Sequence, residues 1–192
     1  IFCMSWAELT FQKNTDQKIR DLYQADNTLT RDALPNFISP VSSANNYVRN
    51  GNFSDIAGQW PNLPLYWDTA CTGGDGSSPI KTEDGRFIGW AQNVYSFTLS
   101  QDITGLTAGT YSLYAYFRLN PDSVVEDIVM NVYSGETLLK SRSVRSELLA
   151  APRETDVRFE LKDIQVTNTA VRIEFAGTNI LKYIGIDNVV FF

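Results

Sequence analysis

The chain has 192 residues, 43% hydrophobic and 20% charged, which is enough for one well-packed core. Its formal net charge of −6 disfavours nucleic acid and anionic membrane as partners, and no apolar run approaches the roughly 20 residues that span a bilayer. There is no histidine, which excludes Ser-His-Asp and Cys-His chemistry and the commonest zinc ligand, and therefore makes an enzyme less expected.

Residues 1–46 differ in character from the rest of the chain. Apolar residues recur at broken helical spacing over residues 15–34, and prolines follow. We therefore expect a short N-terminal helical extension that leads through a linker into the main domain. The two cysteines, Cys3 and Cys71, leave two alternatives, a disulfide in an oxidising compartment or two free thiols.

From residue 47 onward the pattern is nearly all β. Short segments rich in β-branched and aromatic residues are separated by turn residues; they are 47–54, 64–68, 86–91, 94–103, 110–119, 126–134, 137–144, 155–162, 169–176 and 182–192. Strands at this spacing, without crossover helices, predict an all-β fold, an antiparallel β-sandwich or jelly roll, over residues 47–192. The Gly- and Ser-rich stretch 69–85 predicts one long loop.

The stretch 94–119 reads as two strands joined by a tight turn. Residues 110–119 alternate, so that one face is apolar, with Tyr111, Leu113, Ala115 and Phe117. The other face carries Ser112, Tyr114, Tyr116 and Arg118. The first set predicts a core face. The second combines aromatic and polar side chains, which is typical of a sugar-binding sheet.

The neighbours of this strand decide whether it forms a binding groove. If segment 126–134 lies beside it, Asn131 and Tyr133 join the outer face, and Lys140 and Arg142 follow from segment 137–144. Planar amide and guanidinium groups make paired hydrogen bonds to adjacent hydroxyls, as sugar binding requires. A glycan groove and an ordinary exposed sheet face remain the two alternatives.

A second candidate place is the loop edge of the sandwich. The set of residues there is Trp60, Tyr66, Trp67, Trp90, Asn93 and Tyr95. Within this set Trp67 is expected in the core, and Trp90 and Trp60 are the better candidates for ligand contact. Glycosidase chemistry needs two carboxylates about 5–10 Å apart. Four strand carboxylates are available, but nothing in the sequence pairs them; they are Glu126, Asp127, Glu160 and Glu174.

The order of several short motifs resembles that of a known family. The motifs are Asn50-Gly51-Asn52-Phe53, Trp67, a Gly/Ser loop, Gln101 in SQDITGL, Gly109-Thr110-Tyr111, Arg118 at a strand end, and Ile186-Asp187-Asn188-Val189. Over residues 47–192 this pattern resembles carbohydrate-binding modules with a galactose-binding-like jelly roll, of the kind appended to bacterial polysaccharide hydrolases. The stretch from Gly85 to the GTY strand is similar to modules of galactan-degrading enzymes.

The resemblance also implies a structural calcium ion. In the family, the metal is held by a Glu of the opening motif, an Asp of the closing motif and backbone carbonyls. Here Ser54 replaces the Glu and Asp55 follows it, while Asp187 is present. The implied metal residues are therefore Asp187, Asp55 and Asn52, and calcium is an expectation that the missing carboxylate weakens.

These observations lead to a ranked set of hypotheses. The first is a non-catalytic module, secreted or at a cell surface, that binds a polysaccharide such as β-galactan beside a catalytic or surface domain of the same parent protein. Its binding residues would be Trp90, Tyr116, Arg118, Tyr114, Asn131, Tyr133, Trp60 and Asn93. The second is a structural or adhesion β-sandwich, and the third is a small jelly-roll polysaccharide-degrading enzyme.

Overall fold

The computed structural model describes residues 46–58, 61–75 and 78–192. The predicted N-terminal helix, Cys3 and Trp60 lie outside these residues. The described part contains one short helix and ten strands: β1 (Ile56–Ala57), β2 (Leu63–Pro64), β3 (Asp68–Gly73), β4 (Ile80–Glu83), β5 (Arg86–Thr104), β6 (Gly109–Leu119), β7 (Val124–Ser134), β8 (Thr137–Ser143), α1 (Arg145–Ala150), β9 (Val157–Val166) and β10 (Ala170–Phe191).

The fold is an antiparallel β-sandwich, as the sequence predicted, and it is built around two long strands, β5 and β10. They pair with each other along most of their length, and register shifts between Gly177 and Lys182 mark where they pass from one layer to the other. Layer A has the order β3–β5–β10–β7–β8, and layer B has the order β4–β5–β10–β6–β9. The breaks predicted near residues 92 and 178 are therefore bends within continuous strands.

The core lies between the two layers and is rich in aromatic rings. Phe97 and Phe175 of layer A face Phe87 and Phe117 of layer B, with ring centroids 5.4 Å apart for Phe87–Phe97 and 5.9 Å apart for Phe117–Phe175. These separations suit the tilted and edge-to-face packing that aromatic pairs prefer. The predicted core face of β6 is confirmed, because Tyr111, Leu113, Ala115 and Phe117 are all buried.

The two strands predicted on either side of the turn at residues 105–108 are present, but they do not pair with each other. β5 ends in layer A and β6 begins in layer B, and β6 pairs with β10 and β9. Within layer B, β10 lies between β5 and β6. The glycine-containing turn reverses the direction of the chain, and it also takes the chain from layer A to layer B. Turn residues predict a reversal without fixing which layer receives the next strand.

The segment predicted as a first strand, 47–54, forms turns instead. The buried side chain of Gln101 holds it in place: Nε2 donates to the carbonyl oxygens of Arg49 at 2.9 Å and Tyr66 at 3.1 Å, and Oε1 accepts from the Arg49 N–H at 2.8 Å. Backbone hydrogen bonds to β10 also hold the segment, from the Tyr47 N–H to the Phe191 carbonyl and from the Val189 N–H to the Gly51 carbonyl. Trp67 is buried as expected, and its indole N–H donates to the Asn50 carbonyl.

The predicted loop 69–85 contains most of β3 and all of β4. β4 and β5 form a hairpin in which Asp84 and Gly85 have φ of 51° and 69°. Two consecutive positive φ values define the two-residue turn that matches strand twist, and an Asp-Gly pair adopts it easily. The abundance of glycine here therefore reflects tight turns. None of the helices in the described residues has the length and apolar character that crossing a bilayer requires.

Candidate functional site

The outer face of layer B brings together most of the predicted aromatic residues. Trp90 of β5 lies directly opposite Tyr183 of β10, and two rows further along β10, Asp187 lies opposite Tyr116 of β6. Arg118 lies opposite Gly185, in the row between them. Neighbouring strands are about 4.8 Å apart and successive rows about 7 Å apart, so these side chains form one continuous surface. We call it the layer B face.

A cavity of about 400 Å³ opens beside Trp90. Its lining includes Pro79, Lys81, Glu83, Ile88, Trp90 and Tyr183. The Trp90 side chain is 46% exposed, and its backbone N–H donates to the Pro79 carbonyl at 2.7 Å, which fixes the strand beneath the ring. We call this space the Trp90 cavity. It offers two aromatic rings and an ion pair, Lys81–Glu83, with 3.0 Å between Nζ and Oε1.

Gly185 creates the space in which Tyr183 and Arg86 lie across the sheet. A Cβ atom at this position would lie 2.7 Å from the Tyr183 hydroxyl oxygen and 2.8 Å from Arg86 Cδ. Both side chains therefore pass directly over the glycine. Burial raises the pKa of Tyr183, so the phenol stays neutral and can both donate and accept a hydrogen bond.

Arg86 holds two carboxylates at the centre of the layer B face. Its guanidinium donates to both oxygens of Asp156, and Nη2 lies 3.7 Å from Asp187 Oδ2. The hydrogen bonds from Arg86 lower the pKa of Asp156, whereas burial raises the pKa of Asp187. One guanidinium thus restrains both carboxyl groups, and we interpret the cluster as a structural support for the layer B face.

The far end of the layer B face is formed by β6 and β9. The rings of Tyr114 and Tyr116 meet edge to face with centroids 6.3 Å apart, and Arg158 lies over the Tyr114 ring at 4.1 Å. Within the described residues, the Arg118 guanidinium has neither a hydrogen bond nor an ion pair. Arg118 therefore has all its donors free for the hydroxyls of a ligand.

Asn131 and Tyr133 do not share this face, so their expected place beside Tyr116 is wrong. β7 pairs with β10 and β8, and the residues lie on the outer side of layer A. There Asn131 Nδ2 and the Tyr133 hydroxyl both donate to Glu174 Oε1, at 3.2 and 3.3 Å, and Ser141 donates to Asn131 Oδ1. The two residues serve a local polar network. The cause is the crossing of β10, which places its two halves in different layers.

The remaining candidates, from the sheet face and from the loop edge, are dispersed. Lys140 and Arg142 belong to the β8 edge, where Arg142 donates to the Glu160 carbonyl at 2.7 Å. Asn93 is exposed where β5 passes between the layers. Cys71 forms no disulfide with any described residue, and burial raises the pKa of its thiol. Since Cys3 lies outside the described residues, the two alternatives for the cysteines stay open.

The implied calcium residues are not gathered into one ligand set. Asp187 accepts from the Asn188 N–H at 2.6 Å and faces Arg86, and Asn52 Oδ1 accepts from the Ser54 hydroxyl at 3.2 Å. In residues 46–58, 61–75 and 78–192, no three Asp, Glu, His or Cys side chains are grouped to hold a metal ion. The side chains as they stand do not fit a carboxylate-rich calcium site, and calcium stays a prediction of the resemblance.

Tyr183 lines the Trp90 cavity opposite Trp90, but the sequence analysis did not single it out. Its segment, 182–192, reads as a strand, but the alternation there is broken by Asn188 and the following apolar run. The register shift between Asp187 and Val190 explains this, because a bulge changes which side chains share a face. The signal available in the sequence was the Lys182-Tyr183 pair, which places a polar and an aromatic residue side by side at the start of the predicted last strand.

Comparisons with known proteins give the class of fold. No protein-family model matches the sequence, and no curated protein matches it at a significant level. Among solved structures, TmCBM61 in complex with beta-1,4-galactotriose is 18% identical, with a TM-score of 0.50, covering 77% of this chain and 97% of that one. A CBM4 structure is 16% identical, with a TM-score of 0.53, covering 74% and 97%. The chain thus has the β-sandwich fold of carbohydrate-binding modules.

Proposed function

We propose that this chain is a non-catalytic carbohydrate-binding module whose layer B face binds a polysaccharide. The observation that carries the proposal is the exposed Trp90 ring, which lines the Trp90 cavity together with Tyr183. A large aromatic ring left 46% exposed on a rigid strand offers a flat apolar surface. The C–H groups on one side of a pyranose ring complement such a surface.

Polar groups around the rings would bind the hydroxyls. The Lys81–Glu83 pair presents a donor and an acceptor on one side of Trp90, and the Tyr183 hydroxyl and Arg118 lie along the face. Hydrogen bonds to charged groups are stronger than neutral ones. Because sugar and protein both lose hydration on binding, we expect dissociation constants from micromolar to millimolar for one module, about −8 to −4 kcal/mol.

We propose β-1,4-galactan as the first ligand to test. The motif order between Gly85 and Tyr111 supports it, and so does the galactotriose held by the similar TmCBM61. A module of this kind would act outside the cell, joined to a catalytic or surface domain that it keeps close to the polysaccharide. The paired hydrogen bonds from Arg86 to Asp156 support the non-catalytic assignment, because they lower the pKa of that carboxyl group and so disfavour it as a general acid.

Affinity gel electrophoresis tests the proposal directly. The wild type, Trp90→Ala and Tyr66→Ala are run through gels containing galactan, xylan, mannan or soluble β-glucan, with and without a calcium chelator. Tyr66 is a matched control, because its ring is also exposed but packs against Arg49 away from the layer B face. We expect at least one glycan to retard the wild type and Tyr66→Ala but not Trp90→Ala.

Two results would count against the proposal. Equal retardation of the wild type and both variants would place the binding site elsewhere, and no retardation of the wild type in any gel would favour the structural or adhesion alternative. The chelator separates the calcium question from these outcomes. Loss of retardation or of thermal stability in the chelator would support the calcium ion that the resemblance implies.

A further inference from the structure

A second cavity, of about 360 Å³, lies next to β4, the edge strand of layer B. Polar side chains in its lining include Ser54, Asn62, Thr82 and Asp84, and Phe53 and Ile56 contribute apolar surface. We call it the Thr82 cavity. It combines apolar carbon with several hydroxyl, amide and carboxylate groups, which is the mixture that a sugar ring needs for binding.

The Lys81–Glu83 ion pair forms the boundary between the two cavities. Both residues line the Trp90 cavity and the Thr82 cavity. Glu83 is about half exposed, so its carboxylate is accessible to a ligand that lies across the pair. A ligand on this boundary would touch both spaces at once.

Thr82 provides an independent reason to expect a polar ligand here. The residue is only 4% exposed, and its hydroxyl has no hydrogen-bond partner within the described residues. Buried hydroxyl groups nearly always have a partner in native proteins. A sugar hydroxyl entering the Thr82 cavity would supply one after a rotation about χ1 of the threonine.

We infer that a glycan chain held at Trp90 continues across the Lys81–Glu83 pair into the Thr82 cavity. The chain would thus run across the strands and over the β4 edge, away from Tyr116. This inference rests on the proposed function and adds the direction and the length of the bound chain. A disaccharide would occupy the Trp90 cavity, and a tetrasaccharide would reach both.

Calorimetric titrations with β-1,4-linked galacto-, gluco- and manno-oligosaccharides of two, four and six residues test this inference. The variants are Thr82→Val, Asn62→Ala, Tyr116→Ala and the control Thr98→Val, which changes the same side chain on the outer face of layer A. We expect the tetrasaccharide of the preferred sugar to bind at least fivefold more tightly than its disaccharide. Thr82→Val and Asn62→Ala should remove most of this gain and leave disaccharide binding unchanged.

The outcomes separate this inference from the proposed function. Trp90-dependent binding without any gain from two to four residues would overturn the inference and leave the module assignment standing. A gain that is lost in Tyr116→Ala and kept in Thr82→Val would also overturn it, because the chain would then run along the face. No binding of any oligosaccharide by the wild type would count against both. Thermal melts of each variant confirm that the fold is intact.

Discussion

Trp90 and Tyr183 lie directly opposite each other on the antiparallel strands β5 and β10, and both line one cavity on the outer face of layer B. Hydrogen bonds on both sides of this pair fix its backbone, with Trp90 donating to Pro79 and the Ser123 hydroxyl donating to the Tyr183 carbonyl at 2.7 Å. A preformed pair of rings loses little conformational entropy when a ligand binds. The two residues should therefore act together in binding.

Substitutions at Tyr183 separate the contribution of its ring from that of its hydroxyl. Tyr183→Phe keeps the aromatic surface, and we expect it to retain most of the affinity. Tyr183→Ala removes the ring and should weaken glycan binding by about 1 kcal/mol, or roughly fivefold. Calorimetric titration of both variants measures the difference. Equal losses in the two variants would show that the hydroxyl, and not the ring, contacts the sugar.

Gly185→Ala tests the arrangement of side chains over the sheet. The added methyl group would lie within 3 Å of the Tyr183 hydroxyl oxygen and Arg86 Cδ, which are both parts of flexible side chains. We expect the fold to persist while Tyr183 moves from its place, with affinity falling by up to about fivefold, or about 1 kcal/mol, as for loss of the ring. Melting temperature and binding are measured on the same sample. Unchanged affinity would mean that the position of Tyr183 is unimportant.

Stability at low pH should show two opposite contributions from the Arg86 cluster. The pKa of Asp156 is lowered from 3.8, so the folded state gains stability from its ionisation as pH rises up to about 3.8, and loses it as pH falls further. The pKa of Asp187 is raised from 3.8, so its ionisation removes stability as pH rises above 3.8. Urea unfolding at closely spaced pH values measures both effects.

Asparagine variants assign these two contributions to their residues. Asp156→Asn should abolish the rise in unfolding free energy with pH below 3.8, and Asp187→Asn should abolish the fall above it. The reverse assignment, or a profile that neither variant alters, would contradict the roles given to Arg86 and to burial.

Gln101→Leu should destabilise the protein without touching the layer B face. The substitution leaves the Arg49 N–H and the carbonyl oxygens of Arg49 and Tyr66 without their partner inside the protein. Buried polar groups left unpaired cost about 1–3 kcal/mol each, so we expect a total loss of about 2–4 kcal/mol, since part of the segment can reach water. Denaturant unfolding measures it. A loss below about 0.5 kcal/mol would show that the Gln101 hydrogen bonds do not hold the segment.

Much of the fold could be predicted because alternation in single strands is a local property. The apolar face of β6 and most strand positions followed from period-two patterns, and the resemblance of the motifs led to the β-sandwich. The pairing of strands could not be predicted in the same way. Whether β7 lies beside β6 depends on how β10 crosses between the layers, and the sequence of β7 itself carries no information about that crossing.

The candidate site was predicted in part for the same reason. Tyr114, Tyr116 and Arg118 were placed together correctly, because they alternate along one strand. The sequence made Trp90 a candidate, but it could not place Trp90 on the same face as these residues. Only the register between β5 and β10 does so, and it also brings in Tyr183. The segment of Tyr183 does not by itself predict this position, since only the pairing of β5 with β10 places Tyr183 beside Trp90.

Calorimetric titration of the preferred polysaccharide against wild type, Trp90→Ala and Tyr66→Ala decides whether the layer B face binds glycan. We expect the wild type and Tyr66→Ala to bind alike, and Trp90→Ala to lose at least tenfold in affinity, about 1.4 kcal/mol or more, with an unchanged melting temperature. Trp90→Ala binding as tightly as the wild type would contradict the claim that the layer B face is the glycan-binding site.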